Sequence, residues 1–461
     1  MPVHTAMFKE NERTLILRIA LPSMIAMIAS GFCSLLDALL LGRLGTQAAA
    51  AVSISFPILT MIQTIGFTLG MGAGSFVSRS LGANSRKPAL QAASTAFFLA
   101  LIISSILCAA GFVFASPLSR LLGAGDDVLS PAARYMRFVL ASGPLLCMNL
   151  MTSSLLRALG RAIPNMAAFL TGALAGSLLQ FILIDRLSLG LTGSGIAMLV
   201  RETVTLLILM IAICRSDKHI RPRPGLFTPS HTVLKDIMRS GLPTLLRQGL
   251  MSLSGAMLSR ISASFGSAAL AGMGLCVRLL SLISSAVIGF GQGFQPVCGF
   301  AFGAGDMQRI RRAYQFCMRC IVLSLLALGA FLFYLAPSLL NPFSAEPSAA
   351  EFAQKALRIQ SIVLFAQGAV IMMNMLTQAM GLTIRASVIA TSRQGFVLIP
   401  LLLILPRLFG ETGLLLSQSI SDLLSLLLCF LLSRRCLPAA GRFIHSSCEP
   451  CGCSRAQTAS R

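Results

Sequence analysis

Long apolar segments follow one another along nearly the whole chain, separated by short stretches that hold Gly, Pro and charged residues. A helix needs roughly 20 mostly apolar residues to cross the hydrocarbon core of a bilayer. The pattern therefore predicts an all-α polytopic membrane protein. Twelve spans are expected, near residues 15–41, 48–78, 89–115, 131–156, 163–186 and 190–214, and then 234–262, 268–299, 313–337, 352–380, 386–406 and 412–433.

The composition agrees with a bilayer environment. Of the 461 residues, 55% are hydrophobic and only 11% are charged, whereas soluble domains carry about 25% charged residues. So few charged side chains could not coat a water-soluble particle of this size. Residues 1–14 are polar and the first apolar segment is long enough to remain in the membrane, so we expect no cleavable signal peptide.

The net charge of +22 comes from Lys and Arg residues that cluster in alternate loops. Short loops rich in Lys and Arg stay on the cytoplasmic side of a membrane. This bias predicts a plasma-membrane protein with both termini in the cytoplasm. We expect the positive charge to contact anionic lipid rather than nucleic acid. The clustered residues are Arg79, Arg86, Lys87, Arg157, Arg161, Arg215, Lys218, Arg221, Arg223, Arg309, Arg311, Arg312, Arg434 and Arg435.

An internal repeat runs through the chain at an offset of 221 residues. Matched Gly, Pro and acidic positions are hard to obtain by chance in apolar sequence. The pairs are Leu21-Pro22 and Leu242-Pro243, Gly70 and Gly291, Gly72 and Gly293, Gly160 and Gly381, and, after one deletion, Glu202 and Asp422. Each half holds six spans, an even number, so both halves insert in the same orientation. Such parallel repeats are a transporter architecture with a substrate site between the halves.

The repeat and the charge pattern divide the chain into segments. We expect a cytoplasmic tail over residues 1–14, a first six-helix lobe over 15–214 and a basic cytoplasmic linker over 215–235. A second six-helix lobe over 236–435 and a second cytoplasmic tail over 436–461 follow.

Several motifs recur in recognisable places: the first lobe carries Pro22, Asp37, Gly42-x-x-Gly45 and the turn at residues 156–165, and the most specific stretch is 289–300. These motifs resemble the multidrug and toxic compound extrusion (MATE) family, specifically its MepA-type branch. The resemblance implies two lobes that face a central cavity and alternate between inward-open and outward-open states. It also implies that inward flow of protons or sodium ions drives export of amphipathic, often cationic, small molecules. We expect a monomer with no cofactor beyond the coupling ion.

The chain departs from the cation sites described for the family. In some members a first-lobe site combines an Asp of the first span, which Asp37 matches, with an Asn–Asp pair and a Thr. Those further positions fall here on Gly176, Gln180 and Met198. A second-lobe site of other members places acids where this chain has Met251 and Ala369. The resemblance therefore does not predict which ion is coupled, or where.

Three acidic residues are predicted to lie inside the membrane, where ionisable groups are candidates for function. Asp37 lies roughly 6–8 Å below the outer interface. Loss of water favours the protonated form of a carboxyl group, the property that a proton-coupled carrier needs. Glu202 and Asp422 occupy equivalent positions near mid-membrane. They either titrate, one in each lobe, or are neutralised in place, Glu202 by Arg157 and Asp422 by Arg393.

Neutral polar residues and prolines add further candidates. Buried amides either line the cavity or bridge helices, because an amide in hydrocarbon needs a partner or water. Pro22 and Pro243 are repeat-equivalent, and their missing backbone hydrogen bonds make them either hinges for lobe motion or static kinks. The amide candidates are Gln63, Asn149, Gln180, Gln248, Asn374, Gln378 and Gln418.

Other functions are less well supported by the sequence. A lipid-linked oligosaccharide flippase is the alternative, but it needs a strongly cationic cavity for pyrophosphate. The four His residues, His4, His219, His231 and His445, lie in the tails or the linker, which disfavours an intramembrane metalloenzyme. Cys448, Cys451 and Cys453 could bind a soft metal, but they have no second ligand pair. We therefore predict neither an enzyme nor a metal site.

Overall fold

The computed structural model describes residues 11–447 except 43, 216–220, 229 and 341–346. In the first lobe, span 1 is Glu12–Gly42, span 2 is Thr46–Gly82 and span 3 is Arg86–Val113. The short helix Ala115–Leu121 leads to span 4, Asp126–Ala158. Span 5 is Ala162–Phe181 with a π-helical end at Ile182–Arg186, and span 6 is Gly190–Cys214.

The second lobe follows a short 3₁₀ turn at Pro224–Leu226. Span 7 is His231–Ser264, span 8 is Ser267–Gly303 and span 9 is Met307–Leu340. Span 10 consists of two helices, Pro347–Ile362 and Leu364–Ala379, that meet at an angle of 55°. Span 11 begins with Thr383–Thr391 and the π-helical segment Ser392–Phe396, and it continues into the helical stretch Leu398–Ser447. That stretch breaks at Gly410, where span 11 ends and span 12 begins.

The predicted twelve-span architecture is confirmed over the described residues. Nine helices are long and apolar enough to cross a membrane, one of them holds both spans 11 and 12, and the bent pair adds span 10. Span 7 is not among these apolar helices, and it carries Lys235, Asp236, Arg239, Arg247 and Arg260. It is nevertheless the repeat equivalent of span 1. Its helix begins at His231, so the predicted linker boundary at residue 235 falls inside the helix.

The repeat recurs in the backbone conformation of the turns. Four pairs of equivalent residues have φ between +52° and +111°. Glycine adopts such left-handed conformations readily, and Asn tolerates them. Both lobes therefore turn in the same way at the same places, which confirms the duplication. The pairs, first lobe before second, are Gly45 and Gly266, Asn84 and Gly305, Gly160 and Gly381, and Gly190 and Gly410.

The lobes meet through their first two spans. Span 1 packs along span 8, and span 2 packs along both span 7 and span 8. Because spans 1 and 2 are the equivalents of spans 7 and 8, the 1–8 and 2–7 contacts are related by a pseudo-two-fold axis. Pro22 and Pro243 lie within continuous helices on these two sides of the interface. Their role as hinges remains a prediction.

Candidate functional site

The lobe interface is closed at one end of the bundle, which we call the inner end and which holds Gly82 and Gly303. A Cβ atom added at Gly82 would lie 2.0 Å from the carbonyl oxygen of Phe300, and one at Gly303 would lie 2.0 Å from that of Arg79. Gly82 and Gly303 are repeat equivalents, and so are Arg79 and Phe300. The two lobes thus touch backbone to backbone at symmetric positions that only glycine permits.

The close contact continues toward mid-membrane. A Cβ atom added at Gly72 would lie 2.3 Å from the carbonyl oxygen of Ile237, and one added at Gly293 would lie 2.3 Å from the Cα atom of Ala20. These contacts are again related by the repeat. Such approaches leave no space between spans 2 and 7, or between spans 1 and 8, in the inner half of the molecule.

Spans 2 and 7 separate toward the opposite, outer end, whereas spans 1 and 8 still touch at Gly31, where an added Cβ would lie 3.0 Å from Leu282 Cδ2. Gly241 of span 7 would place a Cβ 2.3 Å from the Thr68 carbonyl oxygen, whereas a Cβ at Gly249 would meet no atom within 4 Å. Eight residues, or about 12 Å of helix, separate these glycines. Met61, seven residues outward from Thr68 on span 2, is 54% exposed. The interface is therefore closed at the inner end, and between spans 2 and 7 it is uncovered toward the outer end.

Arg79 ties the inner ends of the two lobes together. Its Nη1 atom donates to the Ala379 carbonyl oxygen at 3.1 Å, and its Nη2 atom donates to Ser240 Oγ at 2.9 Å. Both acceptors belong to the second lobe. The sequence placed Arg79 among the basic residues of a cytoplasmic loop, and the structure shows that it also closes the interface.

A buried cluster of charges lies inside the first lobe. Arg201 of span 6 donates from Nη1 to Asp37 Oδ2 of span 1 at 2.6 Å and from Nε to Glu202 Oε1 at 3.1 Å. Asn149 of span 4 donates from Nδ2 to Glu202 Oε2 at 2.9 Å and to the Glu202 carbonyl oxygen at 2.9 Å. Three spans thus supply one network in which Asp37 and Glu202 share a single guanidinium group.

Gly176 of span 5 makes room for this arrangement. A Cβ atom at Gly176 would lie 2.7 Å from Arg201 Cβ and 3.1 Å from Arg201 Cδ. The Arg201 side chain therefore lies flat against the backbone of span 5. Outward of the cluster, Met198 and Tyr135 belong to a small apolar cluster of the first lobe.

The predicted neutralisation of Glu202 by Arg157 is wrong. Arg157 is buried and donates to Ser153 Oγ, and to Ser154 Oγ at 2.9 Å. On span 4, Arg157 lies eight residues, or about 12 Å, farther toward the inner end than Asn149, the residue that faces Glu202. Arg201 takes the role instead. The sequence could have indicated this partner, because Arg201 is adjacent to Glu202 in the middle of an apolar segment.

The predicted pairing of Asp422 with Arg393 is confirmed in the second lobe. Arg393 Nε donates to Asp422 Oδ1 at 2.5 Å, and Ser421 Oγ donates to the Arg393 carbonyl oxygen at 3.0 Å. The side chains of Arg393 and Asp422 are 19% and 13% exposed. Arg247 of span 7 lies near Arg393 and repels it electrostatically.

The two lobes therefore carry opposite charge balances. The first-lobe cluster has two carboxylates, Asp37 and Glu202, and one guanidinium group, Arg201. The second-lobe cluster has one carboxylate, Asp422, and two guanidinium groups, Arg393 and Arg247. Although Glu202 and Asp422 are repeat equivalents, the first-lobe cluster holds a surplus negative charge and the second-lobe cluster a surplus positive charge.

This imbalance predicts how second-lobe substitutions rank in stability. Asp422→Asn leaves two neighbouring guanidinium groups without a counter-charge, and removing one partner of a buried ion pair costs about 3–5 kcal/mol. Arg393→Met is expected to cost less, because it also removes the electrostatic repulsion between Arg393 and Arg247. Thermal unfolding of detergent-purified protein measures both, with exposed Asp126→Asn as the control. A smaller loss of thermal stability for Asp422→Asn than for Arg393→Met would contradict this arrangement of charges in the second lobe.

Four of the seven predicted amide candidates form bonds inside the protein. Besides Asn149, Asn374 Nδ2 donates to the Ala386 carbonyl oxygen at 2.8 Å, and Gln418 Oε1 accepts from Gln360. Gln378 Nε2 donates to the Ser240 carbonyl oxygen and to Thr244 Oγ1, both at 2.9 Å. These four are helix bridges, which was the alternative interpretation.

The other three amides differ in their surroundings. Gln180 is buried, and its Nε2 atom has no hydrogen-bond partner among the described residues. Gln63 and Gln248 are half-buried in the outer halves of spans 2 and 7. These two remain the predicted candidates for contact with a substrate.

A small cavity with several polar lining residues lies at the inner interface, and Ser75 and Ser78 among them were not singled out by the sequence. Ser75, Ser78 and Arg157 line it from the first lobe, and Gln292 and Gln295 line it from the second. Gln295 Nε2 donates to Ser75 Oγ at 3.0 Å. The stretch 289–300, chosen for its family resemblance, thus supplies polar contacts between the lobes.

Over the described part of the chain, His, Cys, Asp and Glu side chains form no group of three or more that could hold a metal ion. The Cys-rich segment 448–453 lies outside the described residues, as do His4 and His219.

Comparisons with known proteins agree with the duplicated architecture. The family profile described as MatE matches residues 22–183 and again residues 243–404, and these two matches are offset by the 221 residues of the repeat. The Multidrug export protein MepA of Staphylococcus saprophyticus is 25% identical over 421 residues, with 90% of this chain and 93% of that protein covered. The protein of the same name from Staphylococcus aureus is 25% identical over 423 residues, with the same coverage.

Solved structures show the same fold. One, described as the outward-facing conformation of a multidrug resistance MATE family transporter of the MOP superfamily, superposes with a TM-score of 0.90 at 24% identity, over 95% of this chain and 98% of that one. A mutant of the Vibrio cholerae MATE transporter VcmN gives 0.88 at 21% identity, over 95% and 99%. With two profile matches, one per lobe, this multi-pass membrane protein belongs to the MATE family, in its MepA-type branch.

Proposed function

We propose that this protein is a secondary active exporter of amphipathic, cationic small molecules, driven by inward flow of protons or sodium ions. The observation that carries the proposal is the one-sided closure of the lobe interface. Repeat-related glycines join the lobes at the inner end, and the facing sides of spans 2 and 7 are uncovered toward the outer end. A carrier that alternates between two states needs such an interface, which can close at either end by rocking of the lobes.

Further support comes from the relatives and from the chemistry of the uncovered faces. The MepA proteins are named for multidrug export. On the uncovered faces, Met61 and Leu245 are exposed, and Gln248 is half-buried. Flexible apolar side chains with a few amides suit ligands of varied shape.

The proposal includes an orientation. The inner end carries the basic clusters and faces the cytoplasm of a plasma-membrane protein that works as a monomer, with both termini inside. The uncovered state described here is then the one that releases substrate outward. No cofactor is needed beyond the coupling ion.

The proposal is tested with purified protein in liposomes. An imposed pH gradient or sodium gradient is expected to accelerate uptake of a fluorescent organic cation above the rate in protein-free liposomes. Each gradient is applied alone, with and without an ionophore that collapses it. Uptake that ignores both gradients would refute coupled export, and transport of a lipid-linked sugar instead would favour the flippase alternative.

A further inference from the structure

Arg157 is a buried guanidinium group without a counter-charge. It is 3% exposed, and its Nη1 and Nη2 atoms donate to the hydroxyl groups of Ser153 and Ser154. Arg79, at the same inner interface, is attracted electrostatically by Asp236, whereas no acidic residue of the described chain pairs with Arg157. Arginine stays protonated in proteins, and a buried charge without a partner is costly. The inner interface therefore holds an uncompensated positive charge.

The internal repeat indicates that this charge is not needed to bridge the helices. Gln378 is the equivalent of Arg157 at the offset of 221 residues. Its neutral amide donates to the Ser240 carbonyl oxygen and to Thr244 Oγ1, both at 2.9 Å. A neutral side chain is thus sufficient for bridging at this position of a lobe. The charge of Arg157 is an additional feature of the first lobe.

The small cavity that Arg157 lines presents hydrogen-bond donors. Ser154 Oγ accepts from Arg157 at 2.9 Å, and Ser75 Oγ accepts from Gln295 Nε2 at 3.0 Å. Each hydroxyl group keeps its own hydrogen atom, and neither donates it to another described residue. Arg157 has five N–H donors, of which the two serines use two. Donors thus remain available on the first-lobe side of the cavity.

Gln292 adds an amide group from the second lobe. It lines the same cavity and is 2% exposed, and its Oε1 atom has no hydrogen-bond partner among the described residues. Rotation of the amide exchanges its oxygen atom and its NH₂ group, so this side chain can direct two N–H donors into the cavity. The residues that line the cavity include no Asp or Glu.

A positive charge surrounded by N–H and O–H donors is suited to an anion and repels cations. The cavity has a volume of about 10 Å³, room for about one water-sized occupant. A phosphate group or an organic carboxylate is larger than this. A water molecule is small enough, but it is neutral and leaves the charge of Arg157 uncompensated. A monatomic anion such as chloride satisfies both the size and the charge.

We propose that one chloride ion binds between Arg157 and Gln292 and stabilises the closed inner end of the lobe interface. Arg157, Ser75 and Ser154 belong to the first lobe and Gln292 to the second, so the site is complete only while the inner ends are together. A ligand shifts an equilibrium toward the state that binds it better. The link to lobe motion rests on the proposed alternating transport, whereas the binding itself does not.

Binding of radioactive chloride to detergent-purified protein in gluconate buffer tests the site. We expect wild type to bind one chloride ion saturably. Arg157→Gln introduces the residue type found at the equivalent position of the second lobe, and it is expected to weaken binding at least about tenfold, because charge-assisted hydrogen bonds are lost. Gln292→Leu keeps the charge and is expected to weaken binding by a smaller factor. Arg120→Gln, at a position whose side chain is 66% exposed, is the control and should bind as wild type does.

A second measurement tests whether the site needs both lobes. Gly82→Ala does not alter the lining of the cavity but adds a methyl group 2.0 Å from the Phe300 carbonyl oxygen of the other lobe. The apparent dissociation constant for chloride rises when the binding-competent state is less populated. We therefore expect weaker chloride binding by Gly82→Ala, and wild-type binding by Gly249→Ala, where no atom lies within 4 Å of the added methyl group.

The outcomes separate this proposal from the proposed export. Absence of saturable chloride binding by wild type, or equal binding by folded Arg157→Gln, would overturn the anion site. If Arg157→Gln does not fold, equal binding by Gln292→Leu would overturn it instead. Equal binding by Gly82→Ala would show that the site does not depend on closure of the inner end. Chloride binding is measured without a gradient or a transported compound, so its failure leaves the proposed export standing, and failure of transport in liposomes leaves the anion site standing.

Discussion

In a drug-hypersensitive bacterial host, Asp37→Asn is expected to lower resistance to a cationic biocide to the level of an empty vector. Asparagine has the shape of a protonated aspartate, but it can neither release nor accept a proton and carries no charge for a cation. The structure also indicates that the fold will survive the substitution. Once Asp37 is neutral, Arg201 and Glu202 form a balanced pair, with Nε 3.1 Å from Oε1.

The measurement compares growth with protein levels. Minimal inhibitory concentrations are read beside the amount of protein in isolated membranes, with Asp126→Asn as a matched control. Asp126 is also a carboxylate in an ion pair, but its side chain is 93% exposed. Unchanged resistance in Asp37→Asn would remove Asp37 from the mechanism. Loss of the protein from the membrane would show that the carboxylate has a structural role.

The fold could be predicted because glycines and prolines recur at equivalent positions of the two halves of the sequence. Matched glycines and prolines at a fixed offset predicted two equivalent lobes, and the structure places equivalent left-handed residues in the same turns, such as Gly190 and Gly410. Apolar length predicted span 7 less clearly, since charged residues such as Arg247 lie within it. For span 7, the internal repeat indicated a membrane span that hydropathy alone did not clearly predict.

Charge partners were harder to predict, because they depend on side-chain direction and on how closely the helices approach. Arg393 and Asp422 come from neighbouring spans, and their pairing was anticipated. Arg201 and Glu202 are adjacent in sequence, and adjacent residues of a helix point about 100° apart. Their ion pair exists because Arg201 packs beside Gly176 of span 5 with its Nε atom 3.1 Å from Oε1 of Glu202, which faces Asn149 of span 4. A sequence does not show that space.

The sequence could not predict which end of the lobe interface is closed. Gly82 and Gly303 were visible as repeat partners, but a carrier samples states in which such residues touch and states in which they separate. Only the structure shows which contacts between the lobes are formed at the same time. In this structure the formed contacts are those of the inner end.

Gly82→Ala and Gly303→Ala are each expected to shift the protein away from this inner-closed state and to reduce export strongly. The added methyl group would lie 2.0 Å from a carbonyl oxygen of the other lobe, and that oxygen belongs to backbone that cannot yield without moving a whole helix. Overpacking of this kind costs about 1–3 kcal/mol, which corresponds to an about 5–150-fold change in the ratio of two states. States in which the inner ends of the lobes are separated do not incur this free-energy cost of overpacking.

Accessibility of the buried inner cavity measures the shift. Ser75→Cys places a thiol at a position that is 2% exposed in the closed state, and a membrane-impermeant maleimide is applied from the inner side in a background without the native cysteines. We expect faster labelling in Gly82→Ala and Gly303→Ala, and similar effects for both because their contacts are symmetric. Gly249→Ala is the matched control, since it adds the same methyl group to a helix where no atom lies within 4 Å. Equal labelling rates in all three variants would mean that the glycine contacts do not govern closure of the inner end.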